Sequence, residues 1–199
     1  MKPYTDYVIT PIGSRYNNSK KVGEKELILN TEITERDYHF VNRIGKVEST
    51  PINFNLPIQK GDEVIVHHNI FRRWFDVRGV ERNSSAFIDE DKYSVYYDQI
   101  FAYKRNGEWE ALPDYCFVKP LPNEDKWSVL SERKLAGELT YTNDYLKSLG
   151  LAKGDIVGFT PSSEYEFNID GDKLYRILST DLTINYGHKE KTTTTTKSF

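Results

Sequence analysis

The chain has 199 residues, with 27 Lys plus Arg against 30 Asp plus Glu and a formal charge of −3. That length holds one medium domain or two small ones, and that charge balance argues against a general polyanion binder while leaving room for a local basic patch. The single cysteine, Cys116, excludes an internal disulfide framework and a multi-cysteine metal site. No apolar run approaches the ~20 residues of a membrane-spanning helix. The start, Met1-Lys2-Pro3-Tyr4-Thr5-Asp6, lacks the apolar stretch of a signal peptide, so a cytoplasmic location is expected. Fifteen Ile, 15 Thr, 14 Tyr and 10 Phe stand against only 5 Ala. β-Branched and aromatic side chains fit a pleated, half-buried surface, so the fold class expected is all-β.

In chain order, the first predicted strand is Tyr7-Val8-Ile9-Thr10-Pro11-Ile12, ended by Gly13. Residues 14–26 are polar and without apolar period, which predicts a loop. An apolar triplet, Leu27-Ile28-Leu29, sits inside that polar setting. Strand pattern resumes at Tyr38-His39-Phe40-Val41 and runs through Ile44-Gly45-Lys46-Val47. Lys60-Gly61-Asp62 predicts a turn, because glycine reaches positive φ at little cost, and Val64 to His68 a strand. Residues 70–82 alternate as a hairpin turning near Arg78-Gly79. Phe87-Ile88, Tyr93-Ser94-Val95-Tyr96 and Gln99-Ile100-Phe101-Ala102-Tyr103 continue the β series, and Asn106-Gly107 is a tight hairpin signal.

After Pro113 the order starts again. Asp114-Tyr115-Cys116-Phe117-Val118-Lys119-Pro120-Leu121 echoes Asp6-Tyr7-Val8-Ile9-Thr10-Pro11-Ile12 with one extra residue, and Gly137-Glu138-Leu139 echoes Gly45-Lys46-Val47. Lys153-Gly154-Asp155-Ile156-Val157 echoes Lys60-Gly61-Asp62-Glu63-Val64. Lys173-Leu174-Tyr175-Arg176-Ile177-Leu178 echoes Lys92-Tyr93-Ser94-Val95-Tyr96-Tyr97, and Asp181-Leu182-Thr183-Ile184 echoes Asp98-Gln99-Ile100-Phe101. The same pieces in the same order point to a duplication. The second copy carries a shorter first loop and one short helix, residues 144–149, stopped by Gly150. The end of the chain, with its run of threonines, reads as a flexible tail.

A strand, a polar loop holding an apolar triplet, a Gly-x-Val strand, a Lys-x-Gly-Asp-x-Val turn and strand, and a closing strand form an ordered pattern. It resembles the GroES family of co-chaperonins, written twice over roughly residues 7–186. The resemblance implies two tandem GroES-like small β-barrels: residues 1–107 with a long mobile loop and an inserted hairpin, residues 108–187 with a shortened loop, and a disordered tail at 188–199. It also implies a homo-oligomeric ring of subunits capping a chaperonin ring (GroEL-like) and assisting ATP-dependent folding, without a cofactor of its own. The matching chaperonin-binding positions are Leu27, Ile28 and Leu29. Three features depart from the family: Glu24-Lys25-Glu26 stands where a Gly-Gly lead-in is usual, Ser128-Val129-Leu130 is a poor second triplet, and the inserted hairpin has no counterpart in the minimal member. The Asn-, Lys- and Tyr-rich composition suits a bacteriophage or a low-GC bacterium. The other reading of the triplet is an ordinary buried strand beside Ile33. The alternative function is a non-catalytic structural or assembly module, such as a phage virion component, that reuses the barrel.

Other chemistry is sparse. His67 and His68, as neighbours in a strand, would face opposite sides and not share a metal. His39 and His188 read as solvent or loop residues, and Cys116 as a buried, inert thiol. No nucleophile elbow, triad or phosphate-binding glycine loop occurs, so no enzyme is expected. The segment Phe71-Arg72-Arg73-Trp74-Phe75 mixes cations and aromatics. It reads as a subunit interface, or as aromatics packed on the barrel with arginines paired to Asp76, Glu81 or Asp89. Nucleic-acid binding is the less favoured reading.

Overall fold

The computed structural model describes residues 2–16, 19–28, 35–53, 56–123, 125 and 131–188. The chain is all-β and divides into two units, Met1–Leu112 and Pro113–Phe199.

The first unit holds β1 (Tyr7–Pro11), β2 (Ser19–Val22), β3 (Lys25–Ile28), β4 (Ile44–Ser49), β5 (Glu63–Val66), β6 (Arg73–Phe75), β7 (Glu81–Asn83), β8 (Phe87–Asp89), β9 (Lys92–Val95), β10 (Ile100–Arg105) and β11 (Glu108–Ala111). The second holds β12 (Tyr115–Pro122), β13 (Glu132–Tyr141), α1 (Asp144–Ser148), β14 (Asp155–Phe159), β15 (Tyr165–Ile169), β16 (Asp172–Leu178) and β17 (Leu182–His188). β11 pairs with β10 across the Asn106-Gly107 turn. The junction therefore falls after Leu112, later than the boundary at residue 107 read from the sequence.

The main sheets repeat one strand order. The first runs β8-β9-β1-β4-β5-β10-β11 and the second β15-β16-β12-β13-β14-β17. Position by position they agree, and β11 is the addition. Every pairing in both sheets is antiparallel. Details repeat too. Pro11 pairs with Gly45, and Pro120 with Gly137. A bulge follows at the same place, because Ile9 pairs with Val47 but Val8 with Ser49, and Val118 with Leu139 but Phe117 with Tyr141. Among the described residues each sheet keeps two edge strands, so the pairing order by itself does not close a barrel.

The Gly-Asp turns explain part of this likeness. Gly61 and Gly154 have φ of +93° and +95°, a region open to glycine and strained for other residues. Their N–H groups donate to Val47 O and Leu139 O, both at 2.8 Å. Asp62 then accepts from Gln59 N at 2.8 Å, and Asp155 from Ala152 N at 2.9 Å. Each turn is thus tied to the preceding Gly-x-apolar strand, and this fixes the entry of β5 and β14.

The interiors are apolar. Val64, Ile65 and Val66 are all fully buried although successive side chains alternate in direction, so β5 is covered on both faces. In the second unit Cys116, Val118, Leu139, Leu146, Val157, Phe159 and Ile177 form one cluster. Leu146 reaches it from α1. Asn143 caps that helix: its Oδ1 accepts from Leu146 N at 2.8 Å, and its Nδ2 donates to Tyr115 O at 2.7 Å and Pro113 O at 3.0 Å.

Several expectations need correction. Residues 14–26, read as a loop, contain β2 and the start of β3, which pair as a hairpin from Ser19–Ile28 to Val22–Lys25. Their apolar period is absent because this ribbon is separate from the main sheets and is exposed along residues 21–25. Residues 38–40, read as strand, lie in a 3₁₀ turn, Glu35–Phe40, and only Val41 bridges to Tyr16. β5 ends at Val66, so His67 and His68 lie in the following turn rather than on opposite faces of a strand, and their rings are 4.2 Å apart. His188 is the last residue of β17 and not tail. The repeat was also read one residue out of step near its end: Tyr7 pairs with Val95 and Cys116 with Ile177, which aligns Ile177 with Val95 rather than Tyr96. Leu29, the Ser128-Val129-Leu130 segment and residues 189–199 lie outside the described residues.

Candidate partner-binding site

The β2–β3 hairpin brings Leu27 to the surface. Leu27 lies in β3 opposite Lys20 and is 52 % exposed. Ile28 follows it as the last residue of β3. Leu27 is therefore not a core residue of either sheet.

The arm leaves the first sheet after β1 and returns to it before β4. Asn42, nearly buried, joins the two roots. Its Nδ2 donates to Ile12 O at 2.7 Å and Ser14 O at 2.9 Å, while its Oδ1 accepts from Ile44 N at 3.0 Å. Its own backbone N–H donates to Arg15 O at 2.9 Å. The sequence reading did not single out Asn42, because an asparagine before a Gly-x-Val strand carries no visible pattern. Alanine here strands two carbonyls and one N–H with little access to water. Asn42→Ala is expected to lower unfolding free energy by about 2–3 kcal/mol and to speed proteolysis of the arm. Urea melts and limited proteolysis read both effects.

Aromatic rings line the returning root. Tyr38 packs on His39 at 4.5 Å and on His68 at 5.1 Å, with the Arg43 guanidinium 5.9 Å from the Tyr38 ring centre. Desolvation, followed by the charges of His67, Arg43 and Arg72, lowers the His68 pKa from 6.5 to about 4. The fold thus holds His68 neutral while the unfolded chain takes up its proton. This contribution to stability is complete above pH 6.5 and is lost as pH falls toward 4. Discounted for half exposure, the loss is about 1–2 kcal/mol. His68→Gln is expected to flatten the fall in stability between pH 7 and 4.5; equal slopes in wild type and variant would contradict this assignment.

The second candidate, Phe71 to Phe75, is split by the fold. Phe71 is fully buried and meets Tyr93 edge-on at 4.9 Å, whereas Trp74 and Phe75 are exposed on β6. Asp76 shapes the tip between β6 and β7: its Oδ1 accepts from Arg78 N at 2.9 Å and Val80 N at 3.0 Å, and its Oδ2 takes Arg82 Nη2 at 2.9 Å. The Val80 and Arg78 N–H groups and the Arg82 guanidinium hold its carboxyl below the usual range. Arg73 lies 3.8 Å from Glu81. The expected pairing of hairpin arginines with Asp76 and Glu81 is present.

Asp62 and Asp155, equivalent in the two turns, have different side-chain partners. Asp62 binds Arg105 through Nε at 3.2 Å and also through Nη2. Asp155 has His188 Nδ1 at 3.3 Å. Cys116 is buried, and desolvation pushes its thiol up to about 12. Among the described residues no group of three or more His, Cys, Asp or Glu could hold a metal ion. No described helix is long and apolar enough to cross a membrane. No family model matches the chain, and no curated protein matches it either.

Proposed function

We propose that the protein is a co-chaperonin: two GroES-like modules in one chain, assembled into a homo-oligomeric ring that caps a chaperonin through Leu27, Ile28 and Leu29. The observation that carries this reading is Leu27, held half-exposed on a hairpin outside both main sheets. An apolar side chain presented on a charged ribbon is available for a partner to cover.

The repeated strand order supports the tandem part of the reading. The ring draws support from β17. Its counterpart β10 is covered by β11, whereas among the described residues β17 is an edge with Ile184 and Tyr186 exposed on it. Such an edge offers backbone donors and acceptors to a neighbouring subunit. The role is non-enzymatic, in the cytoplasm, with the host cytoplasm as its setting if the chain is phage-encoded.

The test is electron microscopy of the purified protein, alone and with a chaperonin and nucleotide. The reading requires a closed ring and a capped complex. A monomer that leaves the chaperonin bare in every nucleotide state removes it.

A further inference from the structure

The β6–β7 hairpin carries chemistry that the docking arm does not use. Its foot is pinned from several sides. Arg15 donates to Phe71 O at 3.0 Å, Arg72 O at 3.2 Å and Asn83 Oδ1 at 2.9 Å. The Tyr16 hydroxyl donates to Arg73 O at 2.8 Å and accepts from Arg73 N at 3.0 Å. The Ser84 hydroxyl donates to Ile70 O at 2.6 Å. The backbone from Ile70 to Arg73 is therefore set before any ligand arrives.

Within β6 the side chain of Trp74 points to one face and those of Arg73 and Phe75 to the other; Arg72, just before the strand, lies on the Trp74 side. Arg73 turns toward Glu81. On the first face the Arg72 guanidinium lies 6.0 Å from the Trp74 ring centre. That face opens into a shallow groove of about 220 Å³ bounded by Asn69, Arg72, Trp74, Ser84 and Ser85. One wall is thus a cation, one an indole face, and the rest are hydroxyls and an amide.

We propose that this groove binds a nucleoside phosphate, with the phosphate on Arg72 and Ser85 and the base against Trp74. A guanidinium fork matches phosphate oxygens in two parallel hydrogen bonds. An indole stacks a base with little preference among bases. The pinned foot means that little backbone freedom is lost on binding. The ligand would lie partly in the open groove, either as a free nucleotide or as one residue of a single strand. This inference does not rest on the co-chaperonin reading.

The test is titration calorimetry of the full chain with AMP, inorganic phosphate, uridine and (dT)12. AMP is expected to bind saturably, and phosphate or uridine alone at least tenfold more weakly. Arg72→Ala and Trp74→Ala should each weaken AMP binding at least tenfold. Val77→Ala, at the exposed tip, should leave it unchanged. Circular dichroism melts of all three variants should match wild type, because none of these side chains is in the core. Equal affinity for AMP and (dT)12 identifies the free nucleotide as the source; affinity rising with strand length identifies the strand. The proposal is overturned if wild type binds neither AMP nor (dT)12 at millimolar concentration, or if both groove variants bind as wild type does.

Discussion

Replacing Gly137 by alanine is expected to destabilise the second unit by about 2–4 kcal/mol. A Cβ at Gly137 would stand 2.9 Å from Val118 Cβ and 3.0 Å from Lys119 O. The obstacles are a backbone carbonyl and a β-carbon fixed to the backbone, so neither can rotate away. Relief requires β12 and β13 to separate where Pro120 faces Gly137, next to the bulge. The equivalent Gly45 meets Thr10 O at 3.0 Å, but its nearest neighbour is the outer ring atom of Phe71 at 2.9 Å. That ring is fully buried against Tyr93, so Gly45→Ala is expected to be similarly damaging. Urea denaturation of both variants reads the effect. Wild-type midpoints for both would mean that the strands do not approach as described, and the equivalence of the two glycines would fall with them.

In the proposed co-chaperonin role, Leu27→Asp is expected to abolish stable capture of a chaperonin, with apparent affinity falling more than a hundredfold, while thermal melts stay at wild-type values. Burial of one leucine yields about 1.5–3 kcal/mol, and ordering an arm costs ~1–2 kcal/mol per residue in backbone entropy. Each arm is therefore a weak unit that releases easily. A ring gains its grip by presenting several arms at high effective concentration. In the proposed ring, a charge at this position would remove the contribution of every arm at once, so the loss would multiply. The fold is spared because Leu27 already stands in water. Co-elution of the variant with a chaperonin and nucleotide, at wild-type yield, would sink the docking role of this position. Ring formation is read separately by native mass spectrometry, which keeps assembly and docking apart.

Much of the fold was legible in order but not in register. The Lys-Gly-Asp turns were visible because their chemistry is local: a glycine at positive φ and an aspartate that bonds a backbone N–H three residues earlier. The Asn106-Gly107 hairpin and the helix ended by Gly150 were visible for the same reason. Ile177 aligns with Val95 rather than Tyr96, a difference hidden in the sequence because side chains along a strand differ only by face and a one-residue shift leaves the composition unchanged. Residues 14–26 were missed as a hairpin because amphipathic alternation reports burial on a core, and this ribbon has none. His67 and His68 were placed on opposite faces because the sequence does not mark where β5 ends. The strand stops at Val66, and the turn that follows brings the two rings together.

Composition and local turn chemistry suffice for the β class, the doubled order of strands, and the apolar triplet in polar surroundings. Those are properties of composition and of turns closed by near neighbours. Long-range packing is what makes Asn42 tie the two roots of the arm, buries Phe71 while Trp74 faces a groove, and gives Asp62 an arginine where Asp155 has a histidine. Each of these joins residues from separate strands or loops. Their side-chain environment is set by which strands lie side by side, and that pairing is a long-range choice which no local pattern encodes.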